Sequence, residues 1–286
     1  MTDDNIVSWT EGYTAYEQNP NAYSEIIPKG TKLCPIYMWF EESGETEIRD
    51  LYGNLGITSI NNEQTIETKI GTIYWWSESN DVYLNPDSSK MFALLPYLSD
   101  ISGLQSLKTK YVTDINSMFF NSANQSLTKV DELSNWDTSK ITNMSHLFEN
   151  CLMLTDISGL KNWNTSSVTD MSFLFADTDS GAFMQLSNIS PLLNWDVSKV
   201  QNMESMFLGC KMESLLALSD WDVSNVKNMS LMFRGCKKLS DASAINNWNI
   251  TNVTNFDRMF YQSLSYPNFN KIKGTWDDTG TFVPNN

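Results

Sequence analysis

A phenylalanine, usually preceded by methionine or leucine, returns at Phe92, Phe119, Phe148, Phe175, Phe207, Phe233 and Phe260. The successive intervals are 27, 29, 27, 32, 26 and 27 residues. A tryptophan keeps step with it at Trp136, Trp163, Trp195, Trp221, Trp248 and Trp276, at intervals of 27, 32, 26, 27 and 28. No other feature of the chain constrains its folding so tightly. A unit this short cannot hide its own apolar face, so each copy must be covered by the next.

Written out, the unit is L-x-x-[IV]-x-x-L-x-[ND]-W-[DN]-[TVI]-[ST]-x-[VI]-x-[DN]-[MF]-x-x-[ML]-F-x-x-C. It is plain from Leu154 through Ile157, Leu160, Trp163, Val168, Asp170 and Met171 to Phe175, and from Leu186 through Trp195 to Phe207 and Cys210. The first copy has Leu107 in the Trp position, and the last replaces its apolar triplet by Pro267, Asn270 and Lys273. Degenerate outer copies suit end units that must face water. The L-x-x-[IV]-x-x-L segment is expected to be a short strand. From the [DN]-M step the apolar offsets become 0, 3, 4 and 7, which predicts one helical stripe. Asp114, Asn143, Asp170, Asn202, Asn228 and Asn255 precede that stripe as N-cap residues of a one-to-two-turn helix. The expected fold class is an α/β solenoid: a leucine-rich-repeat-like, right-handed coil of about seven 26–32-residue repeats.

The run Trp221-Asp222-Val223-Ser224-Asn225-Val226-Lys227-Asn228-Met229-Ser230-Leu231-Met232-Phe233-Arg234-Gly235-Cys236 and its sister copies resemble the BspA-like leucine-rich repeat surface proteins, in particular the repeat first catalogued from mycoplasma lipoproteins. The lead-in Tyr74-Trp75-Trp76-Ser77, then Val82 to Ser89, then Met91-Phe92, is similar to that family's entry. The resemblance covers about residues 72–263 and implies non-enzymatic binding at microbial surfaces.

Three domains are expected: residues 1–71 as an N-terminal arm and small β-rich cap, 72–263 as the solenoid, and 264–286 as a C-terminal cap. The cap is read from the aromatic run Ile36-Tyr37-Met38-Trp39-Phe40 and from Gly44, Gly53 and Gly56. Covering the first copy would protect an edge that otherwise invites aggregation.

With 19 Lys+Arg against 34 Asp+Glu, the formal charge is −15. Such an acidic surface repels phosphate backbones and anionic lipid, so no nucleic-acid partner is expected. The most apolar piece, Met91 to Leu98, is short and interrupted by Pro96, so no membrane insertion is expected. The opening MTDDNIVSWTEG has neither the basic nor the apolar region of a secretory signal, and TFVPNN has no hydrophobic tail. The expected location is extracellular, at a cell surface or on a virion, without signal peptide or anchor in this chain.

The chemistry-bearing residues each have a plain structural explanation. His146, the one histidine, occupies the position two before Phe148, where other copies carry Ser117, Phe173, Ser205, Leu231 and Arg258. So tolerant a position is expected to face solvent, which leaves no basis for Ser/His/Asp or Cys/His catalysis or for a histidine metal site. Cys151, Cys210 and Cys236 lie three residues after the Phe, where Ser122, Thr178 and Ser263 stand elsewhere, and are expected to pack in the stack. A Cys210–Cys236 disulfide is the alternative in an exported protein. Asp137, Asn164, Asp196, Asp222, Asn249 and Asp277 follow each Trp; an Asx-turn is favoured over calcium bridging. Asp177-Thr178-Asp179-Ser180-Gly181 resembles half a calcium loop but reads better as a surface turn. Trp75-Trp76 suggests a sugar platform, with burial the favoured alternative. No catalytic residue, metal or cofactor is expected.

Two positions vary while the framework stays fixed. The one two before Phe holds Ser117, His146, Phe173, Ser205, Leu231 and Arg258; the one just after holds Phe120, Glu149, Ala176, Leu208, Arg234 and Tyr261. Ser117, Phe120, His146, Phe173, Leu231, Arg258 and Tyr261 are the candidate binding residues. The expected function is a non-enzymatic binding or adhesion module that recognises a protein or glycan partner on a host or bacterial surface. The alternatives are a bacteriophage virion component attached through its N-terminal segment, with virion or homo-oligomer neighbours, and a glycan-directed enzyme using paired carboxylates.

Overall fold

In the computed structural model, the described residues are six N-terminal strands and the stretches 82–95, 98–121, 127–178 and 184–285. Two compact units divide the chain, residues 1–85 with 106–111 and residues 86–105 with 112–286.

The first unit is built on antiparallel strands. β1 (Ile6–Trp9) and β6 (Gly71–Ser77) flank β2 (Ile36–Glu42), while β3 (Glu47–Asp50) and β4 (Ile57–Ile60) flank β5 (Thr65–Thr68). Trp75 and Trp76 lie in β6, opposite Met38 and Tyr37. Their side chains, Cys34 and the proposed arm apart from β1 fall outside the described residues.

In the second unit, each copy hydrogen-bonds to the next through single parallel bridges at the Asx positions: Asp114 to Asn143, Asn143 to Asp170, Asp170 to Asn202, Asn202 to Asn228 and Asn228 to Asn255. The seven phenylalanines form a continuous pile, buried throughout, with neighbouring ring centroids 4.9 to 5.9 Å apart. Trp136, Trp163, Trp195, Trp221 and Trp248 are equally equivalent. Each donates its Nε1–H to the carbonyl of the last leucine of the preceding triplet, at 2.9 to 3.2 Å.

Two local expectations are corrected. The apolar triplets are 3-10 turns rather than strands: Asp131–Leu133, Ser158–Leu160, Ser190–Leu192, Leu216–Leu218 and Ser243–Ile245. Apolar residues every third position suit three residues per turn and cannot line one face of a strand of period two. An Asx or Ser oxygen starts the turn, as in Ser158 N–H to Asp156 Oδ1 at 2.8 Å and Ser243 N–H to Asp241 Oδ1 at 2.8 Å.

The segment from the [DN]-M step is likewise not an α-helix, and none occurs among the described residues. Every copy places a left-handed residue two before its Phe: Lys90, Ser117, His146, Phe173, Ser205, Leu231 and Arg258, with φ between 49° and 60°. Leu94, Asn121, Asn150, Gly209, Gly235 and Gln262, two after their Phe, are left-handed as well, and such residues break a right-handed helix. Alternate N–H groups are then free to point at the next copy. Met144, His146, Phe148 and Asn150 donate to the carbonyls of Asp170, Ser172, Leu174 and Ala176 at 2.8 to 3.0 Å. The intervening N–H groups of Leu147, Glu149 and Cys151 close turns onto Met144, His146 and Phe148. Each Asx cap survives in altered form, accepting from the residue two ahead, as Ser145 N–H to Asn143 Oδ1 at 3.0 Å.

The last copy meets a hairpin, β7 (Gly274–Trp276) with β8 (Phe282–Pro284). Phe260 N–H donates to Gly280 O at 3.0 Å and Arg258 N–H to Thr281 Oγ1 at 2.8 Å, in place of a further copy. Gly280 (φ 69°) is required there, because a Cβ would lie 2.5 Å from Tyr261 N.

Candidate functional site

The pre-Phe residues share one left-handed backbone conformation, so their side chains leave the framework in the same way from copy to copy. Their exposure nevertheless differs. Ser117 and Ser205 are buried, His146, Phe173 and Leu231 are half-buried, and Arg258 is exposed. The position is therefore not uniformly a solvent face. Among the post-Phe residues, Phe120, Leu208, Arg234 and Tyr261 are half-buried, whereas Glu149 and Ala176 are buried.

Neighbouring members touch along the stripe. The His146 ring lies flat against Phe173, with centroids 4.7 Å apart and planes within 6°. The Arg234 guanidinium sits over the Tyr261 ring, 5.7 Å from its centroid, an attractive arrangement because the ring face is electron-rich. Among the described residues neither Arg234 nor Arg258 forms an ion pair. The chain has three arginines and one histidine, and the stripe holds two of those arginines and the histidine.

Pattern reasoning missed a polar cluster at the centre of the stripe. Glu149 is buried, and a buried carboxylate must be paired and hydrogen-bonded to persist. His146 Nδ1 bonds one of its oxygens, and the Thr178 hydroxyl donates to the other at 2.6 Å. Asn150 fastens Thr178 through its backbone N–H, 2.8 Å from Asn150 Oδ1. The signal was present in the repeat: Glu149 is the one acidic residue in the post-Phe position, and Thr178 stands where Cys151, Cys210 and Cys236 stand elsewhere. Hydroxyl, carboxylate and imidazole meet here in the wrong order for nucleophilic catalysis. The imidazole faces the carboxylate and not the hydroxyl, so it is not placed to take the Thr178 proton.

The thiols pack as expected. Cys151, Cys210 and Cys236 are free and buried, each donating to a Phe carbonyl of the preceding copy. Burial pushes the Cys210 and Cys236 thiols well above the ordinary range, which removes the thiolate a nucleophile needs. The acidic or amide row after the tryptophans forms Asx-turns, such as Ser198 N–H to Asp196 Oδ1 at 2.9 Å and Ser224 N–H to Asp222 Oδ1 at 3.0 Å. Among the described residues no group of three or more His, Cys, Asp or Glu side chains is arranged to hold a metal ion. Asp179, Ser180 and Gly181 of the half calcium loop lie outside those residues, as does Ser122. No described helix is long and apolar enough to cross a membrane.

Comparison with curated proteins and with solved structures gave no match. A family model does match, over residues 86–181, 113–212 and 178–281, and these three overlapping segments take in all seven phenylalanines and all six repeat tryptophans. With the match spanning most of the chain and coinciding with the hydrogen-bonded copies, the chain belongs to the family described as Mycoplasma protein of unknown function, DUF285.

Proposed function

We propose that this protein is a non-enzymatic binding module, built as a leucine-rich-repeat-like solenoid and working at a microbial cell surface. It recognises a protein or glycan through the face bearing Phe120, His146, Phe173, Leu231, Arg234, Arg258 and Tyr261, from which buried Ser117 drops out. One observation carries the reading: equivalent backbone positions present different side chains from copy to copy, among them two arginines without ion-pair partners among the described residues. Aromatic residues and arginine are the types most enriched at the energetic centres of protein interfaces. The resemblance of the repeat to BspA-like surface proteins supports the location.

The test is an immobilised array of glycans, extracellular matrix proteins and intact bacterial cells probed with the full chain. A parallel probe carries Arg234→Ser, Arg258→Ser and Tyr261→Ser. Binding that drops at least about tenfold in the triple variant supports this face. Ligands bound equally by both proteins place recognition elsewhere.

A further inference from the structure

The copies do not zip together everywhere. At the triplet row, Thr155 and Asp156 N–H both donate to Thr128 O, and Ser240 and Asp241 N–H both reach toward Glu213 O. Parallel bridges mark the same steps, Lys129 to Asp156 and Ser214 to Asp241. The pattern lapses on both sides of Ser187–Asn188, toward Thr155–Asp156 and toward Glu213–Ser214, where no parallel bridge forms. The N–H groups of Glu213 and Ser214 have no protein partner among the described residues, nor has Ser187 O.

A length mismatch accounts for the lapse. Eleven residues separate Phe175 from Leu186 and five separate Phe207 from Met212, whereas six separate Phe148 from Leu154 and Phe233 from Leu239. Lys211 N–H is drawn instead to Leu186 O at 2.9 Å. A shallow groove opens there, lined by Asn188, Leu193, Glu213, Ser214, Leu216 and Ala217 among others.

The side chains on this groove also break the repeat's own rule. Leu216 stands where other copies have Ser158, Ser190 and Ser243, and it is 70% exposed. Leu193 stands where others have Ser134, Lys161, Ser219 and Asn246, and it is 48% exposed. The two leucines thus belong to adjacent triplets and line one opening. Its only charged lining residue is Glu213, and Asp241 is bridged to Ser214 beside it.

We infer that this groove is a docking site for an extended peptide segment of a partner protein, with an apolar side chain seated on Leu193 and Leu216 and a basic residue facing Glu213. An extended backbone offers a C=O to the Glu213 and Ser214 donors, whose counterparts in other copies converge on one carbonyl, and an N–H to the Ser187 acceptor. A second copy of this chain fits less well, since a two-fold contact would set Glu213 against itself in a molecule already at −15. The groove is distinct from the variable stripe and does not depend on its role.

The experiment is selection of a random dodecapeptide display library on the full chain, followed by affinity measurement of synthetic winners. The comparison proteins are Leu193→Ser with Leu216→Ser, which restores residues other copies carry at these exposed positions, and Glu213→Lys. Winners should carry an apolar residue and a Lys or Arg and lose about tenfold or more on the double-serine variant. Their basic residue should become unfavourable on Glu213→Lys, and N-methylation of alternate peptide amides should weaken binding in one parity only. Thermal midpoints of the two variants, read alongside, should match the parent. The inference is overturned if no peptide is enriched, if winners bind the double-serine variant equally, or if N-methylation is without effect in both parities. It is also overturned if light scattering shows a dimer that the double-serine variant abolishes, which would make a second copy the occupant.

Discussion

Trp195 donates its indole N–H to the carbonyl oxygen of Leu160, 3.0 Å away and thirty-five residues earlier in the chain. The same bond recurs from Trp136, Trp163, Trp221 and Trp248, so one side chain both fills the corner of its own copy and satisfies a buried acceptor of the previous one. Replacing Trp195 by Ala should cost about 3–5 kcal/mol through the cavity and the orphaned carbonyl. Trp195→Phe keeps much of the volume but not the donor, and should cost less than the alanine. Urea unfolding measures both; equal, near-zero losses would show that the ladder carries little stability.

Left-handed residues govern the second prediction. Gly235 has φ 73°, and an added Cβ would meet nothing closer than 3.7 Å, so Gly235→Ala isolates the backbone penalty. It should destabilise by about 1 kcal/mol. Arg258 is exposed at φ 49°, and Arg258→Gly should stabilise by a similar amount of about 0.5–1 kcal/mol. Opposite shifts in thermal midpoint are the expected result, and shifts of the same sign would count against the backbone argument.

His146 gives a third. A solvent-facing histidine would be dispensable, yet this one pairs with buried Glu149 and stacks on Phe173. His146→Ala should therefore destabilise by about 1–3 kcal/mol, leaving a buried carboxylate one partner short. The same substitution made together with Glu149→Ala should cost less than the sum of the two singles, as a double-mutant cycle would report.

Acid sensitivity follows from the Asx-turns. The Ser198 hydroxyl and backbone N–H hold Asp196 below the usual carboxylate value, with a smaller contribution from Lys199. Because the native value is depressed, this contribution is present above the unfolded value of about 4 and is lost as pH falls through the native one. Asn, which stands at the equivalent position in Asn164 and Asn249, accepts the same bond without titrating. The gap in thermal midpoint between the parent and Asp196→Asn should accordingly narrow in favour of the variant below about pH 4. A gap constant from pH 7 to pH 2.5 would show that the carboxylate charge adds nothing.

The equivalence of the copies was legible in the chain because Phe and Trp are too large to be placed at random in a stacked core. The Asx-turns were legible for a similar reason, since Asp or Asn followed by Ser or Thr two positions on carries its own hydrogen bond. Helices and strands were not. An apolar stripe at 0, 3, 4 and 7 is shared by an α-helix and by consecutive three-residue turns. What distinguishes them is the sign of φ at residues such as His146, Phe173 and Leu231, none of which is a usual left-handed type. Gly209 and Gly235, with Asn121 and Asn150, all two after their Phe, advertised that conformation. At the candidate site, the out-of-pattern residues Glu149, Thr178, Leu193 and Leu216 could be found by aligning the copies against one another. That Glu149 is buried and that the bonds lapse beside Glu213 depend on segment lengths acting across copies, which no single copy reveals.

The hairpin at Gly274–Trp276 and Phe282–Pro284 answers the outward N–H groups of Arg258 and Phe260 with Thr281 and Gly280. It acts as a terminator: a backbone made to be copied meets a hairpin whose Gly280 and Thr281 accept where a further copy would. Stripped of it, the array would end in a row of open donors, and growth by head-to-tail addition would become a matter of concentration rather than of gene length.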